Sequence, residues 1–142
     1  MAVKQLSVFL ENKQGRLWKA LSTLKNEKID IRAMSIADTS EFGILRMIVS
    51  DPKTAKESLE KEQFAVSLTD VLAIEVEDQP GGLEIGLDLL NNNNINVEYI
   101  YAFVEKKSEK ALVVLMTENN DKSLELLESE GFSILNEDVY SI

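Results

Sequence analysis

Apolar residues near the start of the chain keep two different rhythms. Leu6, Val8 and Leu10 alternate with Gln5, Ser7 and Phe9, the period of a strand with one face in a core. After residues 12–15, Leu17, Ala20, Leu21 and Leu24 recur at spacings of three and four, which predicts an amphipathic helix ended by residues 26–28. A second strand is predicted over residues 29–37, a turn over 38–43 and a third strand over 44–50. Asp51-Pro52 opens a second helix with Ala55 and Leu59 inward, proline being at home in a first helical turn, and a strand over 64–68 closes the unit. The order is β-α-β-β-α-β.

The pattern then repeats. At a constant offset of 66 residues, Leu6 falls on Leu72, Val8 on Ile74, Asn12 on Asp78, Gly15 on Gly81, Leu17 on Leu83, Leu24 on Leu90 and Ile29 on Ile95. Strands are predicted over 71–76, 95–104, 111–117 and from 132 onward, with helices over 83–90 and 122–130. The asparagine run 91–94 falls where the helix must stop, and asparagine tolerates the left-handed conformation of a helix end. Two domains follow, 1–70 and 71–142, each an α+β, ferredoxin-like βαββαβ unit whose antiparallel sheet carries two helices on one face. Units of about 70 residues are near the lower limit for independent stability, so the two are expected to pack against each other. The opposite sheet face carries Phe9, Ile44 and Ile48, and residues 111–116 are apolar on both sides, the pattern of a strand buried twice. A further sheet, from the other domain or from a second chain, is the expected cover. Trp18 lies beside the Leu17, Leu21 and Leu24 stripe and is expected to be partly buried.

Composition narrows the chemistry. The chain has no cysteine and no histidine, which removes thiolate metal sites, disulfides and the commonest general base. No run of residues is long and apolar enough for a membrane span and no signal peptide is evident, so a cytoplasmic location is expected. The formal charge of -10 is uneven: residues 1–70 hold 11 Lys or Arg and 10 Asp or Glu, a net of +1, whereas 71–142 hold 4 and 15, a net of -11. The acidic half is either a solvated surface or a face for a basic partner protein. Nucleic acid is disfavoured, since the second half offers only Lys106, Lys107, Lys110 and Lys122. Gly81-Gly82-x-x-x-Gly86 has the spacing of neither a dinucleotide turn nor a phosphate loop. Glu125, Glu128 and Glu130 lie on a helix expected to show them to solvent.

The turn Asp78-Gln79-Pro80-Gly81-Gly82-Leu83, between the first strand and first helix of a βαββαβ unit, resembles the signature of ACT domains, small regulatory modules that bind amino acids. Asn12-Lys13-Gln14-Gly15-Arg16-Leu17 is the same turn with Asn for Asp and Gln for Pro. Ser35-Ile36-Ala37-Asp38 and the segment from Phe42 to Pro52 are similar to stand-alone tandem ACT proteins related to the acetolactate synthase small subunit. The resemblance implies a non-catalytic regulatory protein, without cofactor or metal. It implies a free amino acid bound between ACT units, sheets joined edge to edge through their second strands, a homodimer, and a partner enzyme of amino-acid metabolism.

The turn residues suit that chemistry on their own account. A helix start presents unpaired amides and partial positive charge to a carboxylate. Gly15 and Gly81 let the backbone approach a ligand closely, with Gln14, Leu17, Pro80 and Leu83 completing the two turns. Asn12 and Asp78 either cap the helix or accept from a ligand ammonium. Arg16 opposes the helix dipole, which points to a nearby anion, or else to a side chain bent toward Glu11 or the acidic second half; its counterpart is Gly82. On the second strands stand Ala33 and Ser35 in one copy and Tyr99 and Tyr101 in the other, the tyrosines offering a flat wall to a ligand side chain or serving as ordinary strand residues.

Overall fold

The alternation at the start of the chain becomes β1 (Val3–Glu11), whose Leu6, Val8 and Leu10 are buried beneath the helices. The structure is a computed structural model and describes residues 3–38, 41–104 and 109–141. The chain divides into two units, Lys4–Asp70 and Val71–Tyr140.

In the first unit α1 (Arg16–Asn26) follows β1, then β2 (Ile31–Asp38), β3 (Phe42–Val49) and α2 (Pro52–Lys61). The last strand of this unit is the first part of β4 (Ala65–Glu77), and the sheet order is β2-β3-β1-β4. All pairings with a described register are antiparallel, with Leu6 opposite Met47 and Met34 opposite the same Met47. Those residues point toward Ala20, Leu24, Ala55 and Leu59, forming a core between sheet and helices. On the other face Gln5, Ala33 and Ile48 are fully buried, while Phe9 is 51% exposed.

The second unit takes the remainder of β4, then α3 (Gly82–Asn92), β5 (Val97–Ala102), β6 (Lys110–Thr117), α4 (Asn120–Ser129) and β7 (Ile134–Leu135), in the order β5-β6-β4-β7. Its second helix, α4, begins and ends as α2 does in the first unit. Asp51 accepts from the Thr54 N–H at 3.1 Å to start α2, and Asn119 accepts from Lys122 N–H at 3.1 Å to start α4. Left-handed Gln63 lets the Phe64 N–H reach Leu59 O at 3.0 Å, and left-handed Gly131 lets Phe132 N–H reach Leu127 O at 3.0 Å. Phe64 and Phe132 are therefore equivalent positions. In β6, Leu112, Val113, Val114 and Leu115 are all buried, so the strand is covered on both faces.

Several boundaries differ from the sequence reading. The strands expected over 64–68 and 71–76 are one continuous strand, β4. Helix α3 runs into the asparagine run as far as Asn92, and the left-handed residue at its end is Asn94, with φ 58°. The final strand has two residues because the Asn136 N–H turns to Asp138 Oδ1 at 3.0 Å, and a 3-10 helix, Glu137–Ser141, follows. Trp18 is 70% exposed rather than partly buried, because it points away from the stripe that Ala20 and Leu24 turn inward. Residues 39 and 40 of the turn read at 38–43, and Lys106 and Lys107, lie outside the described residues.

Candidate ligand-binding site

The two strand-to-helix turns share one backbone design. Lys13 N–H donates to Glu11 O at 2.8 Å, and Gln79 N–H to Glu77 O at 2.9 Å. Gly15 and Gly81 then adopt φ of 88° and 84°, a conformation that favours glycine, and stand as N-caps without any side-chain cap. The N-cap position of each helix is thus a glycine rather than Asn12 or Asp78, both of which are exposed in the turn before the helix start. The first helical bonds come from Lys19 and Ile85, which leaves the Leu17 and Trp18 amides of one unit and the Leu83 and Glu84 amides of the other without acceptors among the described residues. Leu17 and Leu83 are half-buried and turn their side chains into the cores. Gln14 and Pro80 sit exposed at the tips.

Chemistry separates the turns at the first helical residue. Arg16 is half-buried, and its guanidinium carbon lies 4.3 Å from the centre of the Phe64 ring, a cation held on an aromatic face. Its Nε is buried and has no hydrogen-bond partner among the described residues. No acidic residue occupies the first turn of α1. Glu11 is committed elsewhere: the hydrogen bond from Lys13, at 2.9 Å, holds its carboxyl below the usual range, with the charges of Lys13 and then Arg16 adding to the effect. Sequence reasoning missed Phe64, because the ring is brought under Arg16 by the end of α2; an aromatic after each second helix, repeated as Phe132, was the available signal.

In the second unit Gly82 is buried, and a Cβ placed there would stand 1.9 Å from Glu77 O. No side chain fits this position as the turn is built. Glu84 supplies a carboxylate to the first turn of α3 and already complements the dipole.

The second-strand residues lie elsewhere in their own units. Ser35 is opposite Arg46, which is opposite Ser7, placing it midway along the edge strand β2 rather than at the first turn. Tyr101 is likewise opposite Val114, and Val114 opposite Ala73. Tyr99 and Tyr101 are brought together, with ring centroids 6.5 Å apart and planes at 22°. Both β2 and β5 end the strand path and so pair on one side only among the described residues. Among the described residues no acidic group is arranged to hold a metal, and no helix is long and apolar enough to cross a membrane.

A comparison with curated proteins gave no match. Among solved structures, protein BT0572 from Bacteroides thetaiotaomicron is 40% identical with a TM-score of 0.93, covering 100% of this chain and 98% of that one. The ligand-free regulatory subunit of aspartate kinase from Thermus thermophilus has a TM-score of 0.62 at 13% identity, over 90% of this chain and 91% of that one. The corresponding subunit from Thermus flavus has a TM-score of 0.57 at 16% identity, over 89% and 92%. These last two likenesses are of fold. The model for the ACT domain pair matches residues 1–141, and the chain belongs to that family.

Proposed function

We propose that the protein is a non-catalytic, cytoplasmic amino-acid sensor, whose ligand carboxylate binds at the turn ending in Arg16. The observation that carries this reading is the state of Arg16. It heads a helix with no acid in its first turn, beside two amides and with a buried Nε that lack acceptors among the described residues. A cation there is opposed by the helix dipole, and an incoming carboxylate would satisfy the guanidinium and the amides together. Ser35, Tyr99 and Tyr101 on the second strands are the candidate contacts for the side-chain end of the ligand. Binding would then shift the assembly of a homodimer, or its grip on an enzyme of amino-acid metabolism.

The chain has three arginines, so its arginine Nε–Hε signals are few enough to follow by NMR. Titration with each of the twenty amino acids should move the Arg16 signal for at least one of them. An unmoved Arg16 signal throughout would overturn the assignment.

A second reading is a regulatory subunit that acts mainly by protein contact. One observation favours it: a groove of about 520 Å³ in the first unit lined by Phe9, Ala37, Phe42 and Ile44, with Phe9 and Phe42 about half exposed. Co-purification with an enzyme, together with indifference to all amino acids, would favour this reading.

A further inference from the structure

Gly82 takes the place of Arg16, at the head of the helix after a left-handed glycine, and Phe132 takes the place of Phe64. Where the first unit seats a guanidinium on the Phe64 ring, the second has a cleft of about 200 Å³ lined by Gly82, Phe132, Glu77 and Glu130. A second cation is missing from the same place. Lys19 reaches Glu62 at 3.5 Å in the first unit, but the equivalent of Lys19 is Ile85, and Glu130, the equivalent of Glu62, has no ion-pair partner among the described residues. Glu75 is also among the lining residues, and Lys110, 3.6 Å from Glu77, is the one cation there. The aromatic platform and the carboxylates are kept, and both cations are gone.

We propose that this cleft binds a guanidinium group supplied from outside the chain, seated on Phe132 as Arg16 is seated on Phe64. The chain does not supply that group from position 82, because a Cβ there would meet the Glu77 carbonyl at 1.9 Å. A guanidinium suits the place better than an ammonium, being planar, weakly hydrated and able to donate to a carboxylate at its edge while it lies on a ring. The net charge of -11 over residues 71–142 draws cations toward this half. The occupant is either a small guanidinium compound or an arginine side chain of a partner protein. The site is separate from the carboxylate turn of the first unit and stands whether or not that turn binds an amino acid.

The test follows the amide signals of Gly82 and Gly131 by NMR while the whole chain is titrated with butylguanidinium and with its uncharged isostere butylurea. Butylguanidinium should move both signals saturably and butylurea should move neither. Glu130→Gln and Phe132→Leu should each weaken butylguanidinium by about two- to fivefold, and Arg16→Ala should leave it unchanged. Glu130 is an exposed helix-end residue, so Glu130→Gln keeps the test sound even if Phe132→Leu unfolds the unit. A terminally blocked Gly-Arg-Gly peptide binding more tightly than agmatine would assign the cleft to a partner protein, and the reverse order to a small molecule. Equal binding of butylurea, no movement of either glycine at millimolar butylguanidinium, or an unchanged affinity in Glu130→Gln would overturn the proposal.

Discussion

The guanidinium of Arg16 and the ring of Phe64 face each other at 4.3 Å, joining the head of α1 to the end of α2. Phe64 is 4% exposed and fixed by its N–H bond to Leu59 O, so the cation is held in a set place rather than left to solvent. This contact offsets part of the cost of a positive charge at a helix start. It leaves the rest for an anion to relieve.

Arg16→Ala should therefore weaken amino-acid binding by roughly 2 to 5 kcal/mol, the cost of removing one partner from a buried charge pair. Without ligand the stability should change by less than about 1 kcal/mol, since the lost ring contact and the relieved dipole oppose each other. Calorimetric titration and urea unfolding check the two halves. A large loss of ligand-free stability with unchanged affinity would make Arg16 a structural residue.

The turn glycines should respond differently to the same substitutions. Gly15→Ala meets no atom within 4 Å but sits at φ 88°, so it should cost about 1 to 2 kcal/mol, and Gly15→Asn should recover much of that. Gly82→Ala drives a Cβ into the Glu77 carbonyl and should cost about 1 to 3 kcal/mol, with no recovery in Gly82→Asn. Urea denaturation of the four variants distinguishes backbone conformation from steric exclusion.

The duplication and the order of elements were legible because apolar period and turn glycines survive in both copies, as Leu6 with Leu72 and Gly15 with Gly81 do. What escaped depended on residues distant in sequence or on competing local bonds. No period could announce that Phe64 lies under Arg16, or that Gly82 is pressed against Glu77 O. The last strand was overextended because the Asn136 bond to Asp138 ends it early. Trp18 was drawn toward the core by its neighbours in sequence, although its helical position faces solvent.

Assembly gives another prediction. Pairing β2 with itself across a two-fold axis at Ser35 would set Arg32 opposite Asp38 of the partner subunit at both ends. Light scattering should give about twice 15.9 kDa. Asp38→Arg should shift the equilibrium toward monomer, each cross-strand charge pair being worth about 0.2 to 1 kcal/mol, and adding Arg32→Asp should restore the dimer. A dimer indifferent to both changes would place the contact elsewhere.

The cap of α2 predicts a pH dependence. Hydrogen bonding from Thr54, first from its side chain and then from its N–H, holds the Asp51 carboxyl below the usual aspartate range. The folded group is thus the stronger acid, so its contribution is complete above that range and is lost as pH falls through the lowered value. Asp51→Ala should cost about 1 kcal/mol at neutral pH. The difference from the unmodified protein should vanish in strong acid, as thermal unfolding at a series of pH values would reveal.

The most direct test of the sensor reading is the melting temperature of the protein with each of the twenty amino acids in turn. At a concentration a hundred times the dissociation constant, a ligand specific to the folded state stabilises by about 2.7 kcal/mol, an easily measured rise. At least one amino acid should produce it, and Arg16→Ala should diminish it. A flat response to all twenty at millimolar concentration would contradict the sensor account and leave the protein-contact reading in its place.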